Sequence, residues 1–260
     1  MLTVVELFCL HRKFLVYNLV MRNLKVKYRR SVLGFFWTLL IPISQSSIYY
    51  LVFLKILKVQ IEHYVPFILS GVMFWTFFSN TLNEGMESLL NNSSLLTKIP
   101  VPLQTFPLVA ALSHGINLGL AIPVVAGAMA LDGLPLRPAF LMMPLLLGAI
   151  LVISYSISLV FSLVMVFFRD LRYVLALLLQ VWMYGTPVLY NEQMVPESFR
   201  WILWANPIGL IFPSIHDVVL RGVIPEFATL GGILGWTIAS VLGAQWALKY
   251  SLRKGVIEWL

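Results

Sequence analysis

Charge is what this sequence has least of. Only 11% of its 260 residues are Asp, Glu, Lys or Arg, against about 25% in an ordinary soluble domain. Cysteine is nearly absent. Cys9 stands alone, which excludes a disulfide scaffold and any multi-cysteine metal cluster. No Gly-x-x-x-x-Gly-Lys-Ser/Thr run occurs, so the chain brings no phosphate-binding loop of its own. The four histidines, His11, His63, His114 and His216, are scattered along the chain and form none of the groupings a hydrolytic or metal site needs. Intrinsic disorder is excluded too, because 60% of the residues are hydrophobic.

What the chain has is long apolar runs. Stretches free of Asp, Glu, Lys and Arg cover 31–54, 63–83, 99–131, 138–168, 173–191 and 227–248. Each reaches the roughly 18–20 residues that cross a hydrocarbon core about 30 Å thick. A seventh run, 201–216, is shorter and contains Pro207 and Pro213. Since every backbone polar group in lipid needs a partner, such a segment is expected to dip in and return. The reading is an all-α integral membrane protein forming a single transmembrane domain over 1–260. Six transmembrane helices are predicted at about 31–54, 63–83, 105–131, 139–167, 173–191 and 227–248. An N-terminal amphipathic interface helix occupies 1–30, and re-entrant helices occupy the last outer loop, 192–226. Residues 1–30 carry charges throughout, so no cleavable signal peptide is expected.

The placement of positive charge sets the orientation. With the N-terminus inside, inner segments hold 13 Lys and Arg and outer segments hold 5, which puts both termini in the cytoplasm. The same placement removes the nucleic-acid reading of a +7 net charge, since the excess follows a membrane face.

The segments between the spans are patterned. Leu7, Leu10, Phe14, Tyr17, Met21, Leu24 and Tyr28 recur at steps of three and four, one stripe of a helix. Arg12, Lys13, Arg22, Lys25, Lys27, Arg29 and Arg30 fall mostly off it, as in basic helices that lie at a lipid surface. The helix is read either as an anchor or as a dock for a cytoplasmic partner. Loop 84–98 is too short for a domain, yet it offers Leu89, Leu90, Leu95 and Leu96, which need the membrane surface or another protein to cover them. Segment 192–226 holds Pro196, Pro207, Pro213 and Pro225 with Trp201, Trp204 and Phe212. It reads as an outer mouth or as a loop over the helix ends. Gly231, Gly235, Ala239, Gly243 and Ala247 form a small-residue stripe on the last span, suited to close packing within the protomer or between protomers.

The predicted spans contain no Asp, Glu, Lys or Arg. His114, with Asn117 one turn on, is the only titratable candidate there, whereas ion-coupled transporters place charged groups at membrane depth. A polytopic protein without its own energy coupling either conducts passively or borrows energy from a partner.

At this point the motifs themselves become informative. The run from Arg22-Asn23-Leu24 through Leu33-Gly34-Phe35-Phe36-Trp37 resembles the start of the first span in permeases of polysaccharide ABC exporters. Gly71 with Trp75, Leu95-Leu96-Thr97-Lys98, Pro102, Pro107, Phe167-Phe168-Arg169-Asp170-Leu171, Thr186-Pro187-Val188-Leu189-Tyr190, Asn206-Pro207 and Arg221-Gly222 continue the resemblance in order. It is nearest to O-antigen exporter permeases, with capsule and teichoic-acid exporters as relatives. Asn23 stands where the family often has Asp, and Val101-Pro102-Leu103 where it has Phe-Pro-Arg.

The resemblance implies a pore-forming subunit that moves a polysaccharide linked to undecaprenyl diphosphate across the bacterial inner membrane. Two copies would pair with each other and with two copies of an ABC ATPase subunit. No cofactor is implied in this chain, and ATP and Mg belong to the partner. Loop 84–98 is similar to a coupling helix, with Leu89, Leu90, Leu95, Leu96 and Lys98 facing the ATPase. Arg22, Lys25, Lys27, Arg29 and Arg30 would meet the lipid diphosphate by charge-assisted hydrogen bonds, or serve only as inner-face anchors. Trp37, Tyr49, Trp75, Phe78, Tyr155, Trp182 and Tyr184 are candidate pore aromatics on which sugar faces could slide, with lipid contact as the alternative. Pro196, Trp201, Trp204, Asn206, Pro207 and Pro213 would form the outer gate. Two rival readings stay open: a membrane enzyme acting on lipid-linked sugars, for which Asp132, Asp170 and Asp217 lie in three separate loops, and a passive channel component.

Overall fold

Apolar runs satisfy their backbone in lipid by coiling into helices, and every regular element described here is helical. A computed structural model describes residues 10–29, 31–58, 61–98 and 101–259, with the side chains of 10–12, 35, 257 and 258 left out. In chain order the helices are α1 (Leu10–Tyr28), α2 (Trp37–Tyr49, continuing as a π-helix through Tyr50–Ile56), α3 (Tyr64–Asn91), α4 (Ser93–Leu96) and α5 (Thr105–Leu131). Then follow α6 (Met143–Phe167), α7 (Leu171–Tyr184), α8 (Trp201–Ala205), α9 (Ile211–His216, continuing as a π-helix through Asp217–Arg221) and α10 (Phe227–Arg253).

Among the described residues, five helices are long and apolar enough to cross a membrane: Trp37–Ile56, Tyr64–Asn91, Thr105–Leu131, Pro138–Phe167 and Phe227–Arg253. The chain is therefore a multi-pass membrane protein. The predicted span 173–191, fifth in chain order, is helical over only part of its length. Its helix α7 has 14 residues, a length of about 21 Å, and stops at Tyr184. Gly185, Thr186 and Pro187 follow. Proline lacks an amide hydrogen and pushes the residue before it out of the helical region, so 185–191 leaves the helix.

α3 is the axis of the molecule. Of its apolar window 78% is buried, against 11% for the first and last spans. α5 and α6 flank it, α10 packs on α6, and α1 packs on α5. Hydrophobicity alone does not draw helices together in lipid, so close approach and self-satisfied polar groups matter more. Gly85 supplies such an approach, because a Cβ there would lie 2.6 Å from the Ser158 Cβ. α6 buries Ser154, Ser158 and Ser162 at this contact, and each hydroxyl donates to a carbonyl one turn back, at 2.6, 2.9 and 2.8 Å. At the other end Gly71 admits the 186–189 segment, and a Cβ there would sit 2.5 Å from the Val188 carbonyl oxygen.

The core has two parts. The larger surrounds Phe67, Phe74, Phe78, Ile150 and Phe212. The smaller lies at the basic end, where Leu19 and Val20 of α1 meet Leu89, Leu96, Phe106, Leu159, Leu163 and Leu248. The apolar stripe predicted for α1 is redistributed. Phe14 and Tyr17 are 69% and 56% exposed while Leu19 and Val20 are buried, since lipid accommodates an apolar side chain as readily as protein does. Leu7 lies outside the described residues. The small-residue stripe of α10 also turns away from the protomer: Gly231, Gly235 and Gly243 have open space above them, and Ile233, Ala244 and Leu248 are buried instead.

Candidate functional site

The membrane edge expected at residue 83 does not end the helix. α3 runs on to Asn91, and this continuation carries Glu84 into a crowded junction. The carboxylate accepts from Asn23 Nδ2 at 2.6 Å, pairs with Lys27 Nζ at 3.3 Å, and bonds His114 Nε2 at 2.8 Å. Asn23 Nδ2 also reaches Ser113 Oγ at 3.3 Å, Asn117 Nδ2 donates to the Tyr28 hydroxyl at 3.3 Å, and Arg22 donates to Asn92 Oδ1 at 3.3 Å. Three elements are thus tied together by side chains, with α1 bound to both α3 and α5.

These contacts differ in strength. Lys27 and Glu84 are 40% and 33% exposed, and such a pair contributes about 0–1 kcal/mol. His114 is 5% exposed, and a hydrogen bond to a charged group in such a place contributes about 1.5–3 kcal/mol. The histidine bond is the firm part of the knot and the lysine pair its loose part.

A cavity of about 290 Å³ opens beside the knot, lined by Lys27, Tyr28, Ser31, Gly34, Trp37, Thr38, His114 and Asn117 among others. Its wall includes the break between α1 and α2, where Gly34 takes φ of +47° and donates its amide to Ser31 Oγ at 3.0 Å. Burial holds the Tyr28 phenol above its usual value, partly offset by the Asn117 hydrogen bond, so it faces the cavity as a neutral hydroxyl. One ammonium, several hydroxyls and amides, and an imidazole share this lining with apolar Ile41, Pro42, Met73, Phe77 and Leu118; the polar groups suit an anionic oxygen.

Glu84 had no place among the sequence-predicted residues, because it was read as the first residue of a loop. A signal was present nonetheless: His114, Asn117 and Asn23 bring polar groups to the membrane edge, and such groups need partners there. Of the five predicted cationic residues, Lys27 lines the cavity and Arg22 is held by Asn92. Lys25 and Arg29 are exposed, and Arg30 lies outside the described residues.

The expected leucine face of 84–98 is corrected in part. Leu89 is 0% and Leu96 9% exposed, because the extended α3 and the short α4 fold them into the smaller core. Leu90 and Leu95 are half-buried, and Lys98 is exposed.

The aromatic candidates divide as well. Trp75, Phe78 and Trp182 form a ladder, with ring centroids 5.6 Å apart for Trp75–Phe78 and 5.1 Å for Phe78–Trp182. Trp75 and Phe78 are buried at 8% and 0%, so within the protomer they pack the core and do not display a lining. Tyr155 is also buried, in the smaller core beside α1 and outside the cluster that holds Trp75 and Phe78. Trp37 is half exposed at the α1–α2 cavity, Tyr49 packs edge-on against Phe53 of its own helix, and Tyr184 is exposed.

At the far end Asn206 is the hub. Its Oδ1 accepts from Trp182 Nε1 at 2.8 Å and from the Ile208 amide at 3.1 Å, while Nδ2 donates to Thr186 Oγ1 at 2.8 Å and to the Gly185 carbonyl at 3.4 Å. α9, including Pro213, is buried, whereas Pro196, Trp201 and Trp204 are exposed and Pro207 half-buried. The Trp204 carbonyl accepts from Trp236 Nε1 at 2.8 Å. A second cavity, about 630 Å³, is lined by Glu192, Arg200, Trp204, Asp217, Arg221 and Glu226. Burial pushes the Asp217 carboxyl up against the opposing pull of Arg221, and burial with the neighbouring Asp217 charge pushes up Glu192. No group of three or more His, Cys, Asp or Glu side chains suited to a metal ion occurs among the described residues.

Membrane-length helices around a polar junction, with cavities at both ends, define a multi-pass membrane protein. Residues 15–220 match the ABC-2 type transporter family, and the chain belongs to that family. Among similar proteins, the O-antigen export system permease protein RfbA of Klebsiella pneumoniae is 29% identical over 224 residues, covering 85% of this chain and 86% of that one. The RfbA permease of Myxococcus xanthus is 28% identical, covering 89% and 92%. The polysialic acid transport protein KpsM of Escherichia coli is 23% identical, covering 88% and 90%.

Proposed function

We propose that this chain is the membrane-spanning subunit of an ATP-driven exporter that carries a polysaccharide of the O-antigen type, linked to undecaprenyl diphosphate, across the bacterial inner membrane. Both termini face the cytoplasm, where 13 of the 18 Lys and Arg gather. Two copies pair, and two copies of a separate ATPase bind at the 84–98 region through Leu90, Leu95 and Lys98. ATP and Mg reside on that ATPase, and this chain is not an enzyme. The observation that carries the reading is the α1–α2 cavity, which places Lys27 beside hydroxyl and amide donors at the basic membrane edge, where a lipid-borne diphosphate would arrive.

On this reading α7 and the extended residues to 191 together complete the fifth crossing, and α8 and α9 form a re-entrant gate at the outer mouth. Partner closure driven by ATP moves the end of α3 and, through it, the path along which the glycan slides. Deleting the gene in its native strain should leave the lipid-linked glycan on the cytoplasmic face, and supplying the chain should restore surface polysaccharide. Tagged protein from native membranes should bring down a stoichiometric ATPase bearing a phosphate-binding loop. Surface polysaccharide unaffected by the deletion would refute the proposal.

A further inference from the structure

Glu84 sits where three helices meet, and two of its partners, Lys27 and His114, line the described cavity. Its Oε1 is taken by Asn23 at 2.6 Å, and its Oε2 is shared between His114 at 2.8 Å and Lys27 at 3.3 Å. Asn23 and Lys27 lie on α1 and His114 on α5, so the α3 carboxylate is the common member of both ties. Other polar ties of α1 include single hydrogen bonds of 3.3 Å, Asn23 to Ser113, Arg22 to Asn92 and Asn117 to Tyr28. Lys27 also lines the cavity, so one ammonium faces Glu84 on one side and the ligand space on the other. A half-exposed ion pair is weakly held, whereas a diphosphate presents more negative charge than a carboxylate and more acceptor oxygens.

We propose that Glu84 is the positioning residue that latches the interface helix α1 onto α3 and α5, and that an anionic phosphate entering the cavity releases the latch by taking Lys27 from it. The identity of that anion as a lipid diphosphate rests on the exporter reading above, whereas the latch itself rests on the contacts of Glu84 alone. Once Lys27 turns to the phosphate, Asn23 remains the one α1 side chain on the carboxylate among the described bonds, and the balance shifts toward an α1 swung outward against the packing of Leu19 and Val20. Because α3 runs on from Glu84 to the 89–98 region within two turns, the state of α1 would be felt where the ATPase is proposed to bind.

The test is a distance measurement by pulsed electron paramagnetic resonance on the full complex in lipid nanodiscs. Spin labels are placed at Val26→Cys and Asn91→Cys, both exposed, in a Cys9→Ser background. Wild type should give one short-distance population, and undecaprenyl diphosphate should move it outward. Glu84→Gln keeps the shape and removes the charge. It should raise the ratio of long to short distances about fivefold or more without any ligand, the lower edge of an ordinary coupling. Glu84→Asp, which keeps the carboxylate, should restore the short population, a rescue that a purely space-filling role would not produce. Lys27→Gln should leave the distribution unresponsive to the lipid.

An unshifted Glu84→Gln overturns the latch. A wild type that binds undecaprenyl diphosphate without any outward shift overturns the role of the anion. Absence of binding, read by native mass spectrometry of the same complex, counts against the lipid-linked export reading and leaves the Glu84→Gln comparison to decide the latch.

Discussion

Replacing Asn206 with alanine should unfasten the far end of the protein. The side chain is 8% exposed and makes four hydrogen bonds, to Trp182, Ile208, Thr186 and Gly185. Their loss is unequal. Thr186 retains its bond to the Trp182 carbonyl at 2.9 Å, so its hydroxyl is not orphaned. Trp182 Nε1 and the Ile208 amide have no second acceptor among the described bonds. A buried donor left unpaired costs about 1–3 kcal/mol, while polar contacts within bilayers average about 0.6 kcal/mol. Two such donors bracket the effect between about 1 and 6 kcal/mol, with about 2–4 kcal/mol expected because Asn206 is buried and Trp182 half-buried. The assay is reversible unfolding of the purified protein in mixed micelles, titrated with SDS and followed by tryptophan fluorescence. Trp182→Phe, which removes one of the four bonds, should lose roughly half as much. Asn91→Ala, at an exposed position, is the reference. If Asn206→Ala unfolds at the same SDS fraction as that reference, Asn206 is not the clasp between α7 and the 201–221 segment.

Four further outcomes follow from the packing and the charges. Gly85→Ala forces a methyl group to within 2.6 Å of the Ser158 Cβ and should cost about 1–3 kcal/mol by overpacking; Ser158→Gly in the same chain should recover most of it in the same titration. Leu89→Asp buries a carboxylate in the smaller core and should yield aggregated protein on gel filtration. Leu95→Asp, at a half-buried position, should stay monodisperse and lose the co-purifying ATPase; normal recovery of that partner would remove Leu95 from the coupling surface. Burial holds Glu192 above the usual carboxylate range, so the folded state binds this proton more tightly than the unfolded one. Its contribution to stability is therefore full below the ordinary carboxylate value and is lost as pH rises through the raised one. Hydrogen exchange across 211–226 should quicken over that window in wild type and less so in Glu192→Gln.

The sequence was most legible where a property belongs to single residues. Membrane class and five of the helices follow from hydropathy, because lipid solvates each side chain separately. The stop of α7 was also written in Thr186-Pro187, although a charge-free run continuing to residue 191 masked it. Asn206 could be singled out beside Pro207, but its four partners could not. Where a property belongs to pairs, the sequence was silent. Leu89 and Leu95 look alike in a row of letters, yet one is sealed in the core and the other reaches the surface. Trp75, Phe78 and Tyr155 read as candidates for a common pore. They fall into two separate packing clusters because each helix rotates its residues about its own axis.

By itself, then, the amino-acid sequence determined that this protein crosses a membrane several times, is poor in charge and contains no phosphate-binding loop motif. These are sums over residues and need no coordinates. Only the tertiary structure decided that Glu84, His114, Asn23 and Lys27 form one knot, with partners separated by 30 to 61 positions in the chain. The physical reason is that lipid and protein interior are equally apolar, so hydropathy cannot tell which faces of a buried helix touch. A polar group at the membrane edge announces that it needs a partner, and the fold alone selects which one.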